Sequence, residues 1–160
     1  MSSAADHKFM RLALEDCRQA FVRNEGGPFG ACIVRDGEVL AVAHNTVLKE
    51  RDPTAHAEMN AIRATSRTLG SHDLSGCVIY ATSEPCPMCF AAIHWARMGQ
   101  IFAGTRIEDV KALGFNELPI DNLLLRELAG LSISLEADIL RAECRQLLED
   151  WKAQTLAEVY

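Results

Sequence analysis

Two short motifs constrain this chain more than anything else in it: His56-Ala57-Glu58, and later Pro85-Cys86-Pro87-Met88-Cys89. Together they supply one imidazole, two thiols three residues apart, and a carboxylate beside the imidazole. Three such ligands hold a zinc ion and leave a fourth position for water, which marks a catalytic rather than a structural zinc site. Any fold the chain adopts must bring both segments to one point.

The chemistry explains why these groups stand where they do. Two thiolates offset the charge of the dication, yet the metal still lowers the pKa of bound water from about 15.7 toward roughly 7. Attack of zinc-bound hydroxide on an amidine carbon then needs a proton carrier that is not a metal ligand. Glu58 fits this role: it takes the water's proton, delivers it to a ring nitrogen and protonates the departing amine, a task typically worth about 10²–10⁴-fold. Residues two apart do not share a helical face, but in a first helical turn side chains lean toward the N-terminus and can converge there. Asp52-Pro53-Thr54 supplies start signals, with Thr54 as N-cap before the periodic run Ala57, Ala61, Ile62, Ala64 and Leu69, and Gly70 as the stop. Cys86 and Cys89 are spaced as helical neighbours, in a helix that opens around Pro85. A helix N-terminus also favours thiolate over thiol. A lone Cys-x-x-Cys could instead be a redox pair or half of a structural zinc site. The first would want a thioredoxin-like context and the second a regularly spaced fourth ligand; neither is visible.

A chain of 160 residues suits one domain, spanning 1–160, and buries about two-thirds of its unfolded surface. No apolar run approaches the ~20 residues of a membrane span, and no signal-peptide core opens the chain, so the expectation is a soluble, cytoplasmic protein. Of the six cysteines, Cys17, Cys32, Cys77 and Cys144 fall in apolar helical or strand-like settings and read as small buried hydrophobes, as suits a reducing compartment. The formal net charge is −6. With no Lys/Arg cluster, this weighs against a nucleic-acid partner, which would call for a basic patch.

Met10, Ala13, Leu14, Cys17, Ala20 and Phe21 follow the rhythm of an amphipathic helix ended by Gly26-Gly27. Gly30 to Arg35 and Glu38 to His44 read as strands joined by Asp36-Gly37, a two-residue hairpin signal. The His56 helix follows, then a strand from Cys77 to Thr82 that delivers the chain to the cysteine motif. That motif's helix runs to about Arg97, and Gln100 to Gly104 reads as a further strand. Helical stretches near Glu108–Leu113 and Asp121–Leu128 precede an alternating run, Leu131, Ile133 and Leu135. A last helix carries Leu140, Cys144, Leu147, Leu148 and Trp151. Strands alternating with helices after an opening hairpin imply a mixed sheet, here of five strands, covered on both faces. His94 reads as a core histidine, and His44 and His72 carry no functional reading.

Beyond the zinc motifs, Gly27-Pro28-Phe29-Gly30-Ala31, Asn45, Asp52-Pro53-Thr54-Ala55 and Glu84 occur in order at suitable spacing. With them the chain resembles the cytidine deaminase-like superfamily, whose pattern H-x-E…P-C-x-x-C it carries, and within it the bacterial guanine deaminases. Ala92-Ile93-His94-Trp95-Ala96-Arg97, Gly114-Phe115, Trp151 and Tyr160 add to that likeness. The resemblance implies an α/β three-layer α-β-α sandwich, one Zn²⁺ per chain, and conversion of guanine to xanthine and ammonia. It further implies a homodimer whose exchanged C-terminal segments cover the partner's active site. Carried over residue by residue, His56, Cys86 and Cys89 resemble the zinc ligands and Glu58 the proton shuttle. Asn45 and Ala57 resemble substrate contacts, and Phe29 and Trp95 the walls around a flat ring, although both could equally be core. Tyr160 resembles a residue reaching into the neighbouring site. After Gly114-Phe115, where those enzymes carry two aspartates, this chain has Asn116-Glu117; Glu117 keeps the charge of a residue that assists base binding and proton transfer but is one methylene longer.

Other readings stay open: deamination of guanosine, cytosine or another small base or nucleoside, deamination of adenosine in tRNA, and a non-catalytic zinc module. The tRNA enzymes share the motifs, but they would want a basic surface and a small-residue segment where this chain has Arg106-Ile107-Glu108-Asp109-Val110.

Overall fold

The structure, a computed structural model, describes residues 3–154 and 157–160. Helix α1 (Ala4–Phe21) leads into the hairpin β1 (Gly30–Arg35) and β2 (Glu38–His44), the one-turn helix α2 (Val47–Glu50) and helix α3 (Ala57–Leu69). Strand β3 (Cys77–Ser83), helix α4 (Pro87–Trp95) and strand β4 (Gln100–Thr105) follow. The chain closes with α5 (Ile107–Lys111), α6 (Asn122–Leu128), β5 (Ser134–Glu136) and α7 (Arg141–Lys152).

The hairpin forms because Asp36 and Gly37 both take positive φ, 52° and 81°, as a two-residue turn matched to strand twist requires. The five strands lie in the order β2-β1-β3-β4-β5. β1 pairs antiparallel with both β2 and β3, whereas β3–β4 and β4–β5 are parallel. Side chains alternate across this mixed sheet. Ala31, Ile33, Ile79 and Ile101 pack against α3 and α4. Cys32, Val34, Tyr80 and Phe102 face α1 and α7. The result is the expected three-layer arrangement, with Tyr80 and Phe102 stacked at 4.7 Å. The Tyr80 hydroxyl donates to Asp6 (2.7 Å), which also closes the capping box with Ser3 at the start of α1. Cys17, Cys32, Cys77 and Cys144 are buried and free.

Several boundaries differ from the sequence reading for definable reasons. α1 ends at Phe21 rather than at the glycines, and residues 22–29 form a loop that reaches the site. The last strand starts at Ser134, not Leu131. The Leu131 N–H is taken by the Arg126 carbonyl at the end of α6, and pairing begins only where Ser134 donates to Gly99. α2 falls between two strong signals and is too short to show a helical period.

Gly104 marks where the sheet and α7 touch: a Cβ there would lie 2.2 Å from Cys144 Sγ and 2.6 Å from the Thr82 carbonyl oxygen. Gly104→Ala should therefore cost about 1–3 kcal/mol through overpacking, measured by denaturant unfolding. Gly99→Ala, with nothing within 4 Å of the added carbon, should change little.

Candidate active site

α3 and α4 start in the same way. Each follows an extended N-cap residue, His56 (φ −67°, ψ 156°) and Cys86 (φ −63°, ψ 166°), and neither side chain caps its own helix. The two side chains turn toward each other instead. His56 Nδ1 lies 3.6 Å from Cys86 Sγ and 3.6 Å from Cys89 Sγ, and the three ligand atoms fall within 4.8 Å of one another. A tetrahedral zinc, with Zn–S about 2.3 Å and Zn–N about 2.0–2.1 Å, requires an S···N separation of about 3.5 Å. The donor set fits zinc, with Nδ1 as the imidazole ligand.

This geometry corrects two expectations. Thr54 does not cap α3; its N–H and hydroxyl both bond Asp52 Oδ1, at 2.8 and 2.7 Å. The helix opens two residues later, so His56 precedes it and Glu58 is its second residue. The spacing of two, awkward on a helical face, is natural across a helix start. Likewise α4 opens at Pro87, with Cys86 outside it. Both helix N-termini point their positive ends at the ligands, which favours thiolate. Hydrogen bonding from Cys89, with further help from His56, outweighs burial and brings the Cys86 thiol down to about 4. Burial, reinforced by the Cys86 thiolate, pushes the Glu58 carboxyl up to about 7.

A small recess of about 20 Å³ beside His56, Glu58, Ser83 and Cys86 is large enough for one water. It adjoins a cavity of about 280 Å³ between Phe29, His56, Phe115, Glu117 and Tyr160. Glu117 lines both spaces, and burial and then the Cys86 charge raise its pKa. Phe29 stands edge-on to Phe115 at 5.2 Å, so it is both a wall of the cavity and part of a small aromatic cluster. Ala57 is buried between the metal ligand and Glu58.

Behind Tyr160, which lines the cavity, lies Asn45, buried and set back from the lining. Its Oδ1 accepts from Val47 N (3.0 Å), Gly27 N (3.3 Å) and the Tyr160 hydroxyl (2.6 Å). Its Nδ2 is buried without a protein partner. Tyr160 also accepts from Gly27 N at 3.0 Å, packs its ring on Phe115 and receives the Asn116 N–H on its backbone carbonyl. In this single chain its ring therefore lines the cavity. Two residues lie elsewhere: Trp95 is 77% exposed at the end of α4 and lines neither space, and His94 beside it is exposed rather than core.

One contributor's role escaped the sequence reading. The Glu84 carboxylate accepts from Asn122 N (2.7 Å) and Ile107 N (3.2 Å), tying the first residues of α6 and α5 to the segment just before Cys86. Asn122 Nδ2 adds a 2.6 Å bond to the Pro85 carbonyl. The loop bearing Glu117 is thus anchored at both ends. The sequence reading took Glu84 only as part of the shared motif, because its bridging role depends on partners distant in the chain.

A mixed sheet with two helix starts presenting one imidazole and two thiols defines a zinc deaminase fold and site. The chain belongs to the family described as the cytidine and deoxycytidylate deaminase zinc-binding region, whose model matches residues 3–105. Among particular relatives, it is 47% identical over 92 residues to guanine deaminase of Bacillus subtilis, covering 58% of this chain and 59% of that protein. It is 38% identical over 144 residues to a tRNA-specific adenosine deaminase of Agrobacterium fabrum, covering 86% and 93%. Matches to the first curated relatives thus span about 60% of their length. A structure of guanine deaminase from Nitrosomonas europaea superposes with a TM-score of 0.85 at 29% identity, over 96% of this chain and 87% of that one. A structure of tRNA:A34 deaminase superposes at 0.75 and 32%, over 88% and 99%.

Removing one ligand should release the metal: Cys89→Ala is expected to purify with little zinc by metal analysis, because ligation and local folding are coupled. Glu84→Gln should keep zinc but lose about 1–3 kcal/mol in denaturant unfolding, since an amide cannot accept at both N–H groups.

Proposed function

We propose that this chain, as one deaminase domain over residues 1–160, hydrolyses a free purine base, converting guanine to xanthine and ammonia. The observation that carries the reading is the roof: Tyr160 bonded to Asn45 and Gly27 over a cavity of about 280 Å³. That space suits a single flat heterocycle better than a nucleotide flipped from a polymer. With Asn45 Oδ1 fully engaged, its Nδ2 can serve only an acceptor such as the base carbonyl. Glu117 and Glu58 offer carboxyl groups to the ring's N–H and amino groups. Phe29 and Phe115 supply the apolar edges.

Zinc, when bound, would acidify a water in its open position and make hydroxide available near neutral pH. Glu58, buried beside His56, takes the proton of the attacking water and passes it to N3 of the base as the new C2–O bond forms. A second proton transfer through Glu58 lets the C2–N bond break with the electron pair leaving on ammonia. Glu117 and Asn45 hold the ring so that C2 faces the recess, and Tyr160 excludes bulk water. The net charge of −6 favours a small substrate over a polyanion. Six free thiols suit a reducing cytoplasm. No helix among the described residues is long and apolar enough to cross a membrane.

We also place a homodimer contact on the adjoining outer faces of α4 and α6, where Trp95, Leu123, Leu124 and Leu128 are exposed. The second reading, a tRNA adenosine deaminase, draws on the 38% identity across most of this chain. Guanosine and cytosine complete the substrates to compare.

The test is ammonia release by the zinc-loaded protein with guanine, guanosine, cytosine and a tRNA anticodon stem-loop. Guanine turnover that varies little with salt is expected; efficient editing of the stem-loop with no activity on guanine would reverse the assignment. Glu58→Gln should retain zinc yet lose at least about 10²-fold in kcat. Deleting Tyr160 should leave zinc content unchanged while costing up to about 10²-fold in guanine turnover, through loss of positioning.

A further inference from the structure

Behind Asn45 lies a charged cluster that the chemistry above does not use. His44, half-buried at the end of β2, has both ring nitrogens against carboxylates: Nδ1 is 2.7 Å from Asp16 Oδ2 on α1, and Nε2 is 2.7 Å from Glu25 Oε2 in the loop after α1. Carboxylates at such distances only accept, so both nitrogens must donate, and the ring is an imidazolium. A neutral imidazole would satisfy one carboxylate and turn a lone pair on the other. Glu25 is itself buried and also receives Arg23 Nε (2.6 Å) and Lys49 Nζ (3.3 Å).

The cluster is wired to Asn45 and to Tyr160, which lines the cavity. The Glu25 carbonyl accepts the Lys49 N–H, and the next two residues are Gly26 and Gly27. Gly26 lies so close to Asn45 that an added Cβ would stand 2.2 Å from its Oδ1 and 2.5 Å from its backbone oxygen. Gly27 N–H bonds both Asn45 Oδ1 and the Tyr160 hydroxyl. On the other side the His44 carbonyl accepts from Asn60 Nδ2 (3.0 Å), a residue of α3 one turn beyond the metal ligand. The charged side chains of Glu50, Arg63 and Arg67 line the same cleft.

We propose that His44 is a positioning residue: clasped between Asp16 and Glu25, its cationic ring holds the Gly26–Gly27 turn against Asn45 and so fixes Asn45 and the Tyr160 hydroxyl over the substrate cavity. This rests on the purine-base reading of the cavity. Neither His44 nor Glu25 touches the substrate space; their effect passes through Asn45 and Gly27.

The charge state supplies the sign of the pH effect. The Asp16 hydrogen bond, opposed by burial and reinforced by Glu25, raises the His44 pKa above its ordinary 6.5. Burial works against the Glu25 carboxylate, but bonds from His44, Arg23 and Lys49 bring it down to about 2. Glu25 therefore stays anionic across the working range. The clasp is complete at and below the ordinary histidine pKa and comes apart as pH rises through the raised one.

The experiment uses zinc-loaded, ¹⁵N-labelled full-length protein, followed by NMR from mildly acidic to alkaline pH, with guanine kinetics alongside. The Gly27 amide and Asn45 side-chain amide signals should titrate with the His44 ring. KM for guanine should rise roughly tenfold or more over the same limb, with kcat changing far less. Asp16→Asn, which leaves the Glu25 contact, should move both midpoints to lower pH, a shift no ionisation of the substrate can mimic. His44→Gln should abolish both titrations. Gly27 and Asn45 signals that ignore His44, or a KM limb that stays in place in Asp16→Asn, would overturn the proposal. If the signals follow His44 while guanine is not turned over, the clasp stands and the substrate assignment falls.

Discussion

Everything at this site depends on two helices beginning at the same point in space. Each contributes its N-cap side chain as a ligand, and each turns its unsatisfied N–H groups and positive dipole end toward the sulfurs. A helix normally uses its N-cap side chain to satisfy its own first turn. His56 and Cys86 forgo that bond and turn their side chains toward each other, where a metal would join the three donors.

The sheet makes the meeting possible. β3 and β4 run parallel, so the chain leaves both at the same edge, and ligand sites in such sheets gather outside the strands' carboxyl ends. From there β3 feeds Glu84, Pro85 and Cys86 into α4, while β4 feeds the loop that carries Glu117. Glu84 crosses between the two departures and holds the starts of α5 and α6. One carboxylate thereby joins the metal side to the loop that completes the pocket.

The opposite wall is organised by polar satisfaction rather than apolar packing. Asn45 spends its carbonyl oxygen on three donors, while its amide is buried without a protein partner. A buried amide left unpaired is costly, and it persists because the surrounding contacts over-determine its orientation. Tyr160 supplies one of those contacts from the far end of the sequence, and the His44 cluster supports the others from behind.

Local chemistry made much of this legible without coordinates. The His-x-Glu and Cys-x-x-Cys spacings point to a three-donor group that could hold zinc with a carboxylate beside it, because ligand type and separation are properties of the covalent chain. Asp36-Gly37 specified its hairpin, since that turn needs two residues tolerant of positive φ. The alternation of strands with helices after the opening hairpin announced a sheet covered on both faces. What pattern could not supply was anything set by distant partners. Thr54 had every local mark of an N-cap, yet Asp52 claimed its hydroxyl and moved the helix start to His56. Leu131 and Ile133 alternate like a strand, but the end of α6 takes the first backbone bond. Trp95 carries no local sign that its ring lies outside the cavity. His44 and Glu25 are ordinary residues until the fold sets one between two carboxylates and surrounds the other with three cations. Residue type and spacing decide which chemistry a chain can perform, whereas hydrogen-bond partners far apart in sequence decide which residues perform it, and only the folded chain brings those partners within reach.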